Sequence, residues 1–145
     1  MTDFDNPLDP PVGTWQREHV ERYVASGGAD GHIWNGVPTL LLTTRGRRTG
    51  RPRRTPLIYG RDGDDYVVVA SAGGSPTHPA WYHNLSADPR VRVQVGAEVF
   101  DAVARTASAE EKARLWPVMT AIWPAYDEYQ AKTSRDIPIV ILSRA

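Results

Sequence analysis

Short segments of strand-type residues, joined by turns rather than by helices, constrain the fold of this chain most. VPTLLLTT at 37–44 is a nearly continuous apolar run suited to a buried strand, and VRVQV at 91–95 alternates apolar and polar residues. RDGD at 61–64 is typical of a hairpin turn, and Gly96 predicts a tight link between two strands. The predicted strands are 37–44, 54–60, 65–71, 91–95, 98–106 and 137–143.

These strands do not alternate with helices as a doubly wound parallel sheet requires. We therefore predict a mainly β fold with α, in which a six-stranded, mostly antiparallel sheet closes into a small barrel with peripheral helices. The 145 residues suit a single domain over 1–145, with an irregular arm at 1–13. Helices are predicted over 14–26, 79–89 and 108–116. Pro117 and Pro124 predict that 116–133 forms two or three short helical pieces.

The residue inventory excludes several classes of site. The chain has no cysteine, which excludes disulfides, thiol nucleophiles and cysteine-based zinc sites. Its four histidines, at positions 19, 32, 78 and 83, lack the spacing of metal ligands, so no metal site is predicted. No apolar run approaches the ~20 residues that cross a bilayer. The acidic, proline-rich N-terminus is unlike a signal peptide, and we expect a cytoplasmic protein.

The segment RGRRTGRPRR at 45–54 concentrates positive charge between two predicted strands. It holds six arginines and no acidic residue. The whole chain has 17 basic and 17 acidic side chains, so the remainder has 11 basic against 17 acidic and a net charge of −6. Like charges this close repel each other, which is atypical of a turn chosen for solubility alone.

Charge alone leaves three interpretations of this segment: a solvated turn, a nucleic-acid-binding or nuclear-targeting cluster, and a grip on a small polyanion. Duplex-binding proteins usually spread positive charge over a whole face, which the acidic remainder of the chain disfavours. Arginine forks and glycine-exposed N–H groups suit phosphate or carboxylate. A second loop, SAGGS at 71–75, also follows a strand and combines hydroxyls with two glycines. Together the two loops predict opposite jaws around one anionic ligand.

Four segments carry a family resemblance. In order and spacing they resemble the deazaflavin-dependent nitroreductases, actinobacterial reductases that use coenzyme F-420, an 8-hydroxy-5-deazaflavin with an oligoglutamate tail. The resemblance covers about residues 35–143 and implies the split β-barrel of the flavin mononucleotide-binding oxidases. The segments are GRRTGRPRRTPL (46–57), DGDDYVVVASAGG (62–74), HPAWYHNLSADPRVRVQVG (78–96) and WPAYDEYQAKTSRDIPIVIL (123–142).

The resemblance implies roles for individual residues. The arginines of the loop would bind the phosphate and tail carboxylates, residues 55–57 would run along the ring, and 71–74 would form the opposite jaw. Ala72 stands where some relatives carry a lysine, so one cationic contact of those relatives is absent. The implied cofactor-binding residues are Arg47, Arg48, Thr49, Arg53, Arg54, Thr55, Pro56, Leu57, Ser71, Gly73, Gly74, Trp81 and Asn84, with Arg51 as a further assisting cation.

The implied reaction is hydride transfer from C5 of the reduced deazaflavin to an electron-poor acceptor: a quinone such as menaquinone, an activated enone or a nitroheteroaromatic. Ser71, Tyr126 and Tyr129 are the candidate catalytic residues for the accompanying proton, and Trp123, Tyr126 and Tyr129 the candidate substrate contacts. The expected partner is a hydrophobic small molecule, without nucleic acid and with peripheral membrane contact. Two alternatives remain: a flavin mononucleotide- or haem-binding split-barrel protein, and a nucleic-acid-binding module.

Overall fold

The computed structural model describes residues 4–145. Its helices are α1 (Trp15–Ala25), α2 (Ala80–Ala87), α3 (Ala109–Ile122) and α4 (Ala125–Lys132), and one 3-10 turn covers Ala72–Gly74. Its strands are β1 (Ile33–Trp34), β2 (Val37–Arg45), β3 (Pro52–Ile58), β4 (Gly60–Asp62), β5 (Asp65–Val69), β6 (Arg90–Val95), β7 (Glu98–Thr106) and β8 (Ile139–Arg144).

The strands form one curled antiparallel sheet. β2 pairs with β1 and β3, and the sheet continues from β2 through β6, β7, β8 and β5 to β4. The helices lie on the outside. This architecture is a split β-barrel, and it confirms the predicted fold class.

The strand count differs from the prediction, because residues 4–145 form eight strands where six were expected. The segment predicted as one strand at 54–60 is divided at Tyr59 into β3, which pairs with β2, and β4, which pairs with β5. Gly60 permits the corner, since a Cβ there would lie 2.7 Å from Sδ of Met119 on α3. The other additional strand, β1, is only two residues long.

Apolar side chains fill both faces of the sheet at β5 and β8. Val68 and Leu142 point into the barrel, where they join the leucines of β2 and the valines of β6. Their neighbours Val67 and Ile141 point outward, because successive strand residues alternate between faces, and they pack under α3 and α4. Each fully buried side chain of this size contributes about 1.5–3 kcal/mol to folding.

The predicted break at Pro117 is wrong. α3 runs through Pro117 and ends at Ile122, whereas the break predicted at Pro124 is present, between α3 and α4. Leu115 and Met119 lie one helical turn apart on either side of the proline, and both are fully buried against the sheet. Packing on both sides holds the helix together despite the backbone hydrogen bond that proline cannot make.

The N-terminal segment lies along β3, the strand that carries one arm of the arginine segment. Leu8 N–H donates to Pro52 O at 2.8 Å, and Arg54 N–H donates to Leu8 O at 2.9 Å. α1 follows and packs on β2 through Tyr23, whose hydroxyl donates to Thr39 O at 3.0 Å and accepts from Gly96 N–H at 2.8 Å. These contacts place α1 beside the opening of the barrel.

Candidate active site

A cavity of about 310 Å³ opens between α1, β1, β3, the end of β5, α2 and α4. Its size is that of a small-molecule site, and aromatic and apolar side chains form most of its wall. Nine of the residues predicted for the cofactor or substrate line it: Thr55, Pro56, Leu57, Ser71, Gly73, Trp81, Trp123, Tyr126 and Tyr129. The structure thus brings together segments that lie up to 74 positions apart in the sequence.

The turn after β5 forms one side of the cavity. Ala72, Gly73 and Gly74 all have positive φ, at 46°, 63° and 82°. Gly74 is buried behind the cavity, and a Cβ there would lie 2.8 Å from Tyr129 O, so α4 requires a glycine at this position. Lys132 of α4 places its Nζ 3.4 Å from Gly73 O, so a cation lies at this turn although Ala72 provides none.

The arginine hairpin, residues 46–51 between β2 and β3, is held by backbone bonds and by α2. Gly46 N–H donates to Arg51 O at 2.7 Å, and Gly50 N–H donates to Gly46 O at 2.8 Å. Asn84 of α2 is 3% exposed, and its Oδ1 accepts from Arg47 N–H at 3.1 Å and from Arg47 Nη1 at 3.3 Å. Asn84 therefore fixes the hairpin beside the cavity, one helical turn after Trp81, rather than lining the cavity itself.

Four arginines of this region are exposed and lack an acidic partner. Within residues 4–145, Arg47, Arg48, Arg51 and Arg53 form no ion pair. Thr49, also exposed, accepts a hydrogen bond from Arg51 N–H at 3.2 Å. Unpaired like charges on adjacent positions create a positive field that an anion would relieve.

Arg54 is not brought to the cavity. Because strand residues alternate, Arg53 and Thr55 share one face of β3 and Arg54 lies on the other. There it makes a bidentate pair with Asp9, at 2.7 and 2.9 Å, beside a smaller cavity lined by Phe4 and Arg92. The arrangement assigns Arg54 to the attachment of the N-terminal segment, which no sequence spacing indicated.

An aromatic wall formed by Trp15, Trp34 and Trp123 closes the cavity on the side of α1. The Trp15 and Trp34 rings are stacked at 5.2 Å, and the Trp34 and Trp123 rings lie 5.5 Å apart. Of these three residues, only Trp123 was predicted from the sequence to line the site. Trp15 and Trp34 come from elements that carried no motif, and the only available signal was the high tryptophan content of the chain.

Two tyrosines of α4 complete this wall. Tyr126 is 4% exposed, and burial raises the pKa of its phenol well above the ordinary value, with a smaller contribution from Tyr129. Its ring lies 6.1 Å from that of Tyr129, whose hydroxyl accepts from Trp123 Nε1 at 3.4 Å. A phenol with a raised pKa keeps its proton at neutral pH, so Tyr126 can donate a hydrogen bond and cannot act as a base.

Residues 4–145 contain neither a cluster of metal-ligating side chains nor a helix that could span a membrane. Residues 4–145 contain no group of three or more His, Asp or Glu side chains placed to hold a metal ion. None of the described helices combines the length and the apolar character needed to cross a bilayer.

Comparison with known proteins places these features in a family. The sequence model described as F420H(2)-dependent quinone reductase matches residues 15–144. A curated relative of the same name from Mycobacterium tuberculosis is 44% identical over 132 residues, which cover 88% of this chain and 89% of the relative.

Solved structures agree with that match. A structure described as a domain-swapped dimer is 41% identical, with a TM-score of 0.71 over 88% of this chain and 96% of that one. A reductase dependent on reduced F-420 is 42% identical, with a TM-score of 0.68 over 73% of this chain and 94% of that one. The haem storage protein HutZ of Vibrio cholerae, at 20% identity and a TM-score of 0.57 over 74% of this chain and 81% of that one, shares the fold alone. With the family model spanning nearly the whole chain, this protein belongs to the F420H(2)-dependent quinone reductase family.

Proposed function

We propose that the aromatic cavity and the arginine hairpin together form one site for reduced coenzyme F-420 and a quinone. The observation that carries this proposal is the set of four unpaired arginines beside a cavity of aromatic walls. The cofactor has the matching chemistry, since it joins a flat aromatic ring to a phosphate and a chain of carboxylates. Family membership makes this chain an oxidoreductase that uses coenzyme F-420 and reduces quinones.

The residues of the cavity suit the ring of the cofactor. Residues 55–58 of β3 line one part of the cavity, and Ser71 and Gly73 of the turn after β5 line another. Arg53 and Thr55 share one face of β3, so a ligand that follows this strand leads from the cavity to the hairpin. Arg47, Arg48, Arg51 and Arg53 would hold the phosphate and the tail carboxylates through paired N–H donors.

The tyrosines and Ser71 would provide the proton that completes the reaction. When bound, the reduced cofactor supplies a hydride from its C5 carbon to the acceptor. A quinone that receives one hydride and one proton becomes a hydroquinone, so a donor must stand near the developing oxyanion. Tyr126 carries its proton at neutral pH, and Ser71 and Tyr129 line the same cavity. The tryptophans offer flat faces on which an aromatic acceptor stacks.

A binding titration tests the site. F-420, flavin mononucleotide and haem are titrated with the protein, and the fluorescence of the first two and the absorbance of haem are followed. We expect F-420 to bind most tightly, because several carboxylates engage four arginines better than one phosphate does. Tighter binding of flavin mononucleotide or haem would favour the alternative split-barrel function. Oxidation of reduced F-420 with a panel of quinones, enones and nitroimidazoles then ranks the acceptors.

The nucleic-acid alternative has a separate test. We expect no retardation of a DNA duplex by this protein at moderate salt, because several surface arginines outside the hairpin are neutralised by acidic partners and the positive charge does not extend over a whole face. Retardation that falls steeply with increasing salt would show that phosphate-backbone contacts dominate, and would contradict the proposal.

We also propose that the protein works in the cytoplasm with its cavity opening against a membrane surface. Val12, Trp15 and Ile33 are 83%, 52% and 59% exposed, and Trp15 also forms part of the cavity wall. Apolar side chains at the opening would favour transfer of a lipid-soluble quinone. Co-sedimentation with liposomes, compared between the wild type and a Val12→Ser, Ile33→Ser variant, measures this contact. Equal sedimentation of the two proteins would contradict it.

A further inference from the structure

Arg135, in the connection between α4 and β8, holds the turn that forms one side of the cavity. Its Nε donates to Ser75 O at 2.8 Å, its Nη2 to Ser71 O at 2.6 Å, and its Nη1 to Ala70 O at 3.2 Å. The same Nη1 donates to Nδ1 of His78 at 2.9 Å. Within residues 4–145 this cation has no carboxylate partner, so its charge is satisfied by carbonyl oxygens and one imidazole.

The turn needs such support. The acceptors of Arg135 bracket it, with Ala70 and Ser71 at its start and Ser75 at its end. Between them lie three consecutive residues with positive φ, one of which is Ala72, a residue type that rarely adopts this conformation. A guanidinium that binds both ends of the turn at once limits the motion of the segment between them.

We infer that Arg135 is a positioning residue that fixes the Ser71 turn for the cofactor, and that His78 controls this hold through its protonation state. This inference rests on the proposed function, according to which the turn binds the cofactor. Arg135 itself does not line the cavity and acts through Ser71 and the backbone around it.

The contact with Arg135 determines which tautomer the neutral ring of His78 adopts. An N–H of Arg135 points at Nδ1, so Nδ1 must present its lone pair, and the neutral ring carries its proton on Nε2. The charged and titratable groups around His78 are Arg135 itself, His83 with its ring 5.7 Å away, Tyr82 with its ring 4.8 Å away, and Lys132 at Gly73 O. None of these groups is a carboxylate. Burial, followed by Arg135 and His83, lowers the pKa of His78 below its ordinary value.

Protonation of His78 at low pH therefore weakens the contact of Arg135 with the turn. A proton on Nδ1 would face the Arg135 N–H, and two donors cannot share a hydrogen bond. Because the pKa is lowered in the folded protein, the unfolded chain takes up protons first as the pH falls below about 6.5. Above that value His78 of the folded protein is neutral and accepts the hydrogen bond from Arg135. This bond is lost as the pH falls through the lower pKa of His78 in the folded protein.

Two measurements on the whole protein test this inference. Hydrogen exchange of the amides at 71–75 is followed without ligand, and F-420 affinity is measured by fluorescence at about pH 7.5 and 5.5. Arg135→Gln should raise exchange at 71–75 by about tenfold or more without a general increase, and should weaken F-420 binding by a similar factor. Arg114→Gln is the matched control, because Arg114 forms an exposed pair with Asp62 away from the turn, and it should change neither quantity.

His78→Asn separates the pH effect. The Oδ1 of this asparagine can accept a hydrogen bond from Arg135 as Nδ1 does, but the side chain does not titrate. The variant should therefore bind F-420 at pH 7.5 as tightly as the wild type does. It should lack the fall in F-420 affinity that we expect for the wild type at pH 5.5. An unchanged acid decline would overturn the role of His78. If Arg135→Gln does not fold, Arg135→Lys should show raised exchange at 71–75, because one ammonium group cannot reach both ends of the turn.

The outcomes for Arg135 and for the cofactor are distinguishable. Wild-type exchange rates at 71–75 in a folded Arg135 variant would overturn the positioning role whatever the ligand. Failure of the wild type to bind F-420 at either pH would instead contradict the proposed function, and the exchange rates would still decide whether Arg135 fixes the turn.

Discussion

The unpaired arginines in and beside the hairpin differ in their contacts from the surface arginines that have acidic partners. Arg105 makes two hydrogen bonds of 2.7 Å to the carboxylate of Glu111, and Arg114 holds Asp62 at 2.9 and 3.0 Å. Arg47, Arg48, Arg51 and Arg53 are as exposed as these but have no acidic partner within residues 4–145. One group of charges is neutralised inside the protein, and the other remains available to a ligand.

A surface arginine that has an acidic partner can stabilise the fold, whereas one without such a partner is available for binding. An unpaired hairpin is held in place without charge neutralisation, through the backbone bonds of Gly46 and through the amide of Asn84. Arg54 marks the boundary, because it belongs to the same segment of the sequence but is paired with Asp9. The turn at 71–75 differs from the hairpin in the place of its arginine. Ser71 and its neighbours line the cavity, and Arg135 binds the turn from outside the cavity.

Removing two unpaired arginines should give the largest effect on binding. The double change Arg47→Ala, Arg53→Ala should weaken F-420 binding about 100-fold, because two charge-assisted hydrogen bonds worth about 1.5 kcal/mol each are lost. A tail-less deazaflavin should lose much less, since it lacks the carboxylates. Fluorescence titration of both ligands measures this difference.

The matched control for that pair is Arg105→Ala, Arg114→Ala, which removes the same charge from paired positions. Its F-420 affinity should stay close to that of the wild type at moderate salt, where distant charges are screened. An equal loss in the two double variants would mean that net charge rather than the hairpin attracts the cofactor.

The aromatic wall gives a smaller effect on a different ligand. Trp34→Ala removes the central ring between Trp15 and Trp123, and should raise KM for a quinone about tenfold, since ring stacking is worth about 0.5–1.5 kcal/mol beyond buried area. The dissociation constant of F-420 should change little. Trp116→Ala is the control, because Trp116 packs against α4 outside the cavity lining and should leave KM unaltered. A loss of F-420 affinity equal to the rise in KM would assign Trp34 to the cofactor.

Local sequence patterns predicted most of the fold and one part of the site. Alternation of apolar residues located β6, and the tight link predicted at Gly96 located β7. The arginine cluster was visible because its six members lie within ten positions. The Ser71 turn could be predicted for the same reason, since a strand end and two glycines are adjacent in the sequence.

Features that depend on tertiary contacts could not be predicted in this way. The pairing of Arg54 with Asp9 and the stacking of Trp34 join residues that no spacing rule connects. The helix through Pro117 reflects the same limit, because burial of Leu115 and Met119 overrides a local preference. The bond between Arg135 and the Ser71 turn spans 64 positions.

Thermal stability should respond to the two groups of arginines in opposite ways. Arg48→Ala, Arg51→Ala should leave Tm within about 2 °C of the wild type or raise it, because like charges are removed and no internal pair is broken. Arg105→Ala should lower Tm, because it leaves Glu111 without the partner that holds it. Calorimetry at low salt measures both. A lower Tm in the hairpin variant would mean that its arginines stabilise the fold.

The smallest expected effect is on the pH dependence of stability, through Glu111, the acidic partner of Arg105. Hydrogen bonds from Arg105, followed by that from Ser108 N–H, lower the pKa of Glu111 from 4.5 to about 2. Between these values the unfolded chain binds a proton that the folded protein does not, so the stabilising contribution of Glu111 is complete above pH 4.5 and is lost as the pH falls towards 2. Glu111→Gln should therefore flatten the fall in stability across this window, as measured by urea unfolding. Glu110→Gln, one residue earlier in α3 and without an ion pair in the described chain, should keep the wild-type slope. Equal slopes in the wild type and Glu111→Gln would show that the Arg105 pair contributes nothing to folding, and the contrast between paired and unpaired arginines would then rest on binding alone.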